Sequence, residues 1–230
     1  MLEVRSTATE RMDDPDLPAE TYDAVLADLA RINRLTLAAR PTLDFLVRGA
    51  RGMDRFSLLD VGFGQGDMLR AIADWAEAQG KAVDLVGVDL NPRSVAAARA
   101  ATPAGAPIQY RTGDYADDMG RRWDFVISSL VAHHMTHDEL VLFLRFMESE
   151  ARAGWFVNDL HRHTLSYMGY PLLARLARVH PIVRSDGRTS IARAYRPQEW
   201  RALLDEAEVS GAVIARRFPF RLCVERIREA

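Results

Sequence analysis

Apolar residues between Ala19 and Val47 recur at three- and four-residue steps: Tyr22, Val25, Leu26, Leu29, Ile32 and Leu35. That spacing lines one face of a helix, and Pro41 divides the stretch into two predicted helices. After Arg55 the pattern changes to short apolar runs separated by helical ones. "FSLLDV", "VDLVGVDL", "IQYRTG", "WDFVISSL" and "GWFVNDL" read as five strands. Helices are predicted over Met68–Gln79, closed by Gly80, and over Pro92–Ala101, with Pro92 near the first helical position. Thr136 and Glu139 form a T-x-x-E capping box that opens a helix to about Arg152. Residues His163–Val179 read as a helix broken or bent at Pro171, and Pro197 opens a last one. "RSDGRTSIARAY" is polar and carries a glycine, so it is expected to be a loop near the entrance, with Arg193 a candidate contact for an anionic substrate. "GAVIARRF" and "FRLCVER" close the chain as an antiparallel pair around Pro219. Residues 1–20 are polar, with Pro15 and Pro18, and are expected to be irregular.

Strands that are nearly all apolar and alternate with helices imply a parallel sheet covered on both faces. Ligands on such sheets bind beyond the carboxyl ends of the strands, where the strand order reverses. "SLLDVGFGQGDMLRAIADWA" places Gly62, Gly64 and Gly66 at such an end, between a strand and a helix. A dinucleotide fingerprint is G-x-G-x-x-G. Here Asp67 stands where the third dinucleotide glycine belongs, and Asp60 adds a second negative charge beside the loop. Two carboxylates repel a pyrophosphate and suit a cation or zwitterion.

Composition narrows the picture only a little. The chain has 230 residues, 48% hydrophobic and 27% charged, with a formal net charge of −2. One large domain fits that length, and no basic face calls for nucleic acid. Cys223 is the sole cysteine, so thiolate zinc sites and intrachain disulfides are excluded. No apolar h-region marks the N-terminus and no apolar run is long enough to span a membrane, so a cytoplasmic protein is expected.

"LDVGFGQGD" resembles the D/E-x-G-x-G-x-G loop of class I S-adenosylmethionine-dependent methyltransferases, and further landmarks follow in order over residues 50–160. The resemblance implies a Rossmann-like α/β fold: a doubly wound, mostly parallel seven-stranded sheet whose last strand is antiparallel. It implies an N-terminal helical lid over residues 1–50. The cofactor-binding domain would be residues 51–230, with a substrate-covering insertion at about 161–197. It implies S-adenosyl-L-methionine as cofactor, with S-adenosyl-L-homocysteine as product. Asp60, Gly62, Gly64 and Gly66 would form the cofactor loop. In "VGVDLNP", Asp89 would accept both ribose hydroxyls, beside Leu90. In "TGDY", Asp114 would accept the adenine amino group, with Tyr115 flanking the ring. In "WDFVISSLVAHHM", Ser129 and Leu130 would lie beside the methionine part. Arg34 is the candidate for the methionine carboxylate, where a fork of donors is useful.

Methyl transfer needs a nucleophile held in line about 3 Å from the methyl carbon, and a phenol also needs a base, usually histidine near neutral pH. Four of six histidines are expected to crowd one rim: His133 and His134 after the fourth strand, His161 and His163 after the fifth. His133 and His161 are the candidate bases or orienting groups. Asp159 would orient them or hold polar substrate; His134, His163, Tyr167 and Tyr170 would line the acceptor site. These histidines with Asp159 also have the chemistry of a zinc site, but without a second ligand motif no metal is expected.

The small-molecule enzymes that "HHM" and "NDLHRH" resemble imply an acceptor hydroxyl on a phenolic, quinoid or polyketide-like compound of bacterial secondary or quinone metabolism. C-methylation of an activated ring is the alternative. A non-catalytic cofactor binder and a nicotinamide oxidoreductase are further readings. No N/D-P-P-[YF] follows the fourth strand, which lowers the chance of a DNA, glutamine or adenine target. The oligomeric state, monomer or homodimer, is left open.

Overall fold

The computed structural model describes residues 2–228. Among them, seven strands form one sheet: β1 (Arg55–Val61), β2 (Ala82–Asp89), β3 (Ile108–Thr112), β4 (Trp123–Ser129), β5 (Ala151–Leu160), β6 (Val213–Arg217) and β7 (Arg221–Ile227). Their order is β3-β2-β1-β4-β5-β7-β6, and β7 runs antiparallel to both of its neighbours. The other adjacent pairs, from β3 across to β5, are parallel. This is the doubly wound sheet that the sequence pattern implied.

Strand side chains alternate between two cores, as the period of two requires. Leu59, Val61, Val86, Val88, Val126, Trp155 and Val157 face one side. There they meet helices α5 (His137–Glu150) and α8 (Pro197–Glu206) through Phe143, Leu144, Trp200 and Leu203. Leu58, Leu85, Phe125, Ile127 and Phe156 face the other side. There they meet α2 (Arg40–Gly49), α3 (Asp67–Ala78) and α4 (Pro92–Ala101) through Phe45, Leu46, Leu69, Ile72 and Ala98. The start signals act as expected. Asn91 accepts the Arg93 N–H to cap α4, and Thr136 and Glu139 exchange both bonds of a capping box.

A third apolar cluster lies apart from both cores. Val25 and Ile32 of α1 (Ala19–Leu35) pack with Ala174 of α6 (Thr164–Leu176), with Val179, and with Ile182 and Val183 of α7 (Pro181–Arg193). This cluster is the cover over the strand ends. It draws on α1 and the segment after β5, whereas α2 belongs to the sheet core, so the covering part at the N-terminus stops short of residue 50. No helix among the described residues is long and apolar enough to cross a membrane.

Two expectations need correction. The polar stretch "RSDGRTSIARAY" lies largely within α7, and is not a loop up to Arg193. Pro181 at the first position and the His180 ring, which accepts the Ile182 N–H at 3.2 Å, start that helix. Its inward face includes the polar Asp186 and Ser190, which hides the helical period from a count of apolar residues. Gly187 lets α7 approach α6, because a Cβ there would strike the Tyr170 ring. The second correction is Pro171, which α6 passes through without a break. Residues 2–18 form a strap with one 3-10 turn at Arg11–Asp13, and both Leu2 and Glu10 are buried.

Candidate functional site

The strand order reverses between β1 and β4, and there the loops after the two strands part. A cavity of about 700 Å³ opens at that point. Gly62, Gly64, Asp60, Asp67, Asp89 and Leu90 line one end. Leu26, Leu29, Ile32, Leu165, Leu173 and Ile191 make a largely apolar cover.

The glycine loop leaves β1 with Gly62, Gly64 and Gly66 all in the left-handed region (φ 77, 55 and 74°). A side chain at Gly62 would run into Val131, and one at Gly66 into Tyr110. Gly64 instead meets nothing within 4 Å, so its backbone faces open space. Its N–H donates to Asp89 Oδ2 at 2.9 Å, while Asn91 N–H donates to Asp89 Oδ1 at 2.8 Å. Each oxygen keeps a further lone pair for a diol. Burial raises the Asp89 carboxyl above its ordinary range, against the two backbone hydrogen bonds that favour its charge.

Asp60 sits at the floor, 1% exposed, and neither oxygen has a hydrogen-bond partner among the described residues. Burial, then the charges of Asp67 and Asp89, push its carboxyl well above the usual range. Ser129 Oγ is likewise buried without a partner, and it too lines the cavity. Orphaned buried polar groups ask for a partner. Two carboxylates at one end of an apolar cavity, with unpaired acceptors between, fit a zwitterionic nucleoside: a diol for Asp89 and an ammonium for Asp60.

Of the other sequence candidates, Leu130 lines the cavity with φ 61°, and Tyr115 lines it while packing on Phe143 and Phe146. Asp114 is exposed, and its Oδ1 accepts the Ala116 N–H at 2.9 Å as a cap. It stands at the rim beside Gly113, not in the wall. Arg34 is a correction: it is exposed on α1 and outside the lining. One residue earlier, Asn33 faces inward and donates to Asp67 at 3.2 Å. The helical turn decides this, since adjacent residues point about 100° apart.

The histidines divide. His133 and His134 line the cavity. His133 is 2% exposed; its Nδ1 lies 2.7 Å from Asp159 Oδ1, and its backbone N–H donates to Asp159 Oδ2 at 2.8 Å. Asp159 therefore orients His133 from beneath. Nε2 faces Glu10 Oε1 at 3.5 Å. Burial lowers the His133 pKa, but the Asp159 and Glu10 carboxylates outweigh it and lift it to about 9. Burial raises Glu10, and the positive charges of His133 and His134 beside it bring it below its ordinary range. His134 Nδ1 lies 3.4 Å from Asp13 Oδ2. Ligand atoms of Glu10, His133 and His134 fall within 4.8 Å of one another, a spacing a metal ion can use. Arg193 Nη1, 3.8 Å from Glu10 Oε1, already supplies positive charge there.

His161 and His163 are corrected: both line a separate concavity and neither lines the large one. Leu160 lines the large cavity, while His161 is buried at the wall of the other. Tyr170 lines the cavity and donates to Val183 O at 2.9 Å; burial raises its phenol, followed by Asp186 and Glu10. Tyr167 lies outside the lining, with Arg188 4.4 Å over its ring. Arg193 does not reach the cavity, because its Nε and Nη2 donate to the carbonyls of His133 and His134.

Sequence reasoning missed Glu10, Asn33 and Arg221. Arg221, 4% exposed, lines the cavity with Nη1 unpartnered, and burial lowers its pKa. The β7–β5 register carries the signal: Arg221 pairs with Leu160 at the ligand-binding edge. Glu10 has none, because the strap that holds it is fixed by distant contacts. Arg5 Nη2 donates to His133 O and Met135 O at 2.7 Å, and Met12 N–H donates to Asp186 Oδ2 at 2.9 Å.

A family model described as a methyltransferase domain matches residues 58–154. No curated protein matches the chain. Among solved structures, magnesium protoporphyrin IX methyltransferase from Synechocystis, with bound SAH, is 20% identical, with 94% of this chain and 90% of that one covered at a TM-score of 0.57. The plantazolicin methyltransferase BpumL, in complex with a monoazolic desmethylPZN analog and SAH, is 13% identical, with 92% and 96% covered at 0.65. At these identities the likeness is one of fold.

Proposed function

We propose that the chain is a class I S-adenosylmethionine-dependent methyltransferase and that it methylates a hydroxyl of a phenolic, quinoid or polyketide-like small molecule. The observation that carries this reading is one continuous cavity. It is lined by the Asp89 carboxylate, which keeps a lone pair free on each oxygen, and, under an apolar cover, by His133, paired with the buried Asp159 carboxylate.

When bound, S-adenosylmethionine supplies a methyl group activated on a sulfonium. Asp89 and the Gly64 backbone would hold its ribose end, and Asp60 would offer its unpaired oxygens to the ammonium. Ser129 and Leu130 would lie beside the methionine part. Leu26, Leu29, Ile32, Leu165 and Leu173 hold a flat apolar acceptor and exclude water, which would otherwise compete as nucleophile. Asp159 accepts the His133 Nδ1–H and fixes the ring, so Nε2 takes the acceptor's hydroxyl proton. Arg221, cationic among apolar walls, stabilises the resulting phenolate.

Only neutral imidazole accepts a proton. With His133 near 9, turnover of a phenol is expected to rise about tenfold per pH unit below that value and level off above it. The assay is transfer of labelled methyl to a panel of phenols and quinols across pH, with the product's methylated atom identified. His133→Asn is expected to abolish the rise. A wild-type rate indifferent to pH over this range overturns the base, and labelled product from no member of the panel overturns the acceptor class.

A further inference from the structure

Within "NDLHRH", His161 and His163 take no part in the chemistry above. These histidines form a second concavity of about 340 Å³, lined by His161, His163, Thr164, Arg196, Arg201 and Arg216. Its charge is one-sided. Glu199 stands at the back with both oxygens engaged: Oε1 by Arg162 at 2.5 Å and Oε2 by the Arg196 N–H at 2.6 Å. Among the described residues the Arg201 and Arg216 side chains have neither ion pair nor hydrogen bond, and both are exposed. His161 is 7% exposed, and its ring makes no hydrogen bond among them. Burial, then the charges of Arg216, His163, Arg196 and Arg162, lower the His161 pKa to about 4. The imidazole is thus held neutral by its burial first and by the surrounding cations second. The amino end of α8, with Pro197 at its first position, adds a partial positive charge to the same wall.

We propose that this concavity binds a phosphate group, free or as a monoester, at a site separate from the acceptor cavity. The donor count selects phosphate over carboxylate. Arg196, Arg201 and Arg216, the Thr164 hydroxyl and two imidazoles line a space that a planar two-oxygen anion leaves mostly unused, Arg196 also donating to Leu2 O. The terminal oxygens of a phosphate each accept more than one bond, and guanidinium forks match that geometry. The neutral His161 ring donates one N–H to a phosphate oxygen. His163 links the two cavities, for its ring stacks on Phe220 at 5.5 Å, and Phe220 lines the acceptor cavity.

The test is calorimetric titration of the full chain at low ionic strength with inorganic phosphate, phenyl phosphate and benzoate, paired with histidine side-chain NMR. His161 resonances are identified by their loss in His161→Gln. Binding of a phosphate probe at about 1 mM or tighter, with His161 resonances displaced and benzoate inert, is the expected result. Arg201→Ala/Arg216→Ala is expected to weaken it about tenfold or more while leaving S-adenosylhomocysteine affinity unchanged. Phenyl phosphate binding more tightly than inorganic phosphate identifies an esterified ligand; equal affinities identify the free ion. Phosphate probes that leave His161 unmoved, benzoate that binds as well, or undiminished binding in the double variant each overturn the site. None of these outcomes bears on the methyl-transfer reading, which the phenol panel tests separately.

Discussion

At the scale of single residues, Asp89 and Arg34 make a contrasting pair. Asp89 offers one lone pair on each oxygen to the cavity, the others being used by Gly64 and Asn91. Asp89→Ala is expected to weaken S-adenosylhomocysteine binding by about 1–3 kcal/mol, the cost of losing a charged acceptor. Arg34→Ala, at an exposed position outside the lining, is expected to change it by less than about 0.5 kcal/mol. Calorimetry of both variants settles the pair; equal losses would return Arg34 to the site. The pair also shows what a sequence permits at this scale. Asp89 could be placed because it ends a strand, and a strand end has one location. Arg34 could not, because a helix offers several faces and only packing selects the inward one.

Among the elements, the strap of residues 2–18 is the least expected. Its sequence is polar, yet its Glu10, Met12 and Asp13 line the cavity. Glu10 faces His133 at 3.5 Å, Arg5 donates to the loop after β4, and the Met12 N–H donates to Asp186 on α7. The Glu10–His133–Asp159 triad makes this closure dependent on pH. His133 has its pKa raised above the ordinary imidazole value of about 6.5, to about 9. The stabilisation is therefore full below the ordinary value and is lost as pH rises through about 9. Amide hydrogen exchange over the strap, corrected for the intrinsic rate, is expected to show protection at neutral pH that falls away in alkali. Glu10→Gln should remove most of that protection at neutral pH. Equal protection on both sides of the transition would show that the strap is held by its backbone contacts alone.

For the molecule as a whole, stability resides in the two sheet-face cores, and the site rests on a thinner third cluster. Trp200 is fully buried between α8 and the sheet. Trp200→Ala is expected to cost about 3–5 kcal/mol of unfolding free energy in urea titration. Val183 belongs to the cover cluster. Val183→Ala is expected to raise the KM for the acceptor more than it lowers global stability, because regions with few buried contacts open first. A KM unchanged beside a large loss of stability would place the cover within the main folding unit.

The sequence alone determined the parallel sheet, the glycine loop and the acids at the strand ends. Strands are read from short, nearly all-apolar runs, helix starts from capping chemistry, and a turn with three left-handed residues demands glycine; all of these are local. What tertiary structure decided is everything that depends on which distant segment arrives. Only folding brings Glu10 to His133, sends His161 and His163 to a second concavity, and seats Arg221 opposite Leu160. The helix over residues 181–193 belongs to the same group: its inward polar residues find partners across the fold, so their burial leaves no periodic trace. Side-chain direction is set by packing energy summed over many contacts, and no local stretch of residues contains that sum.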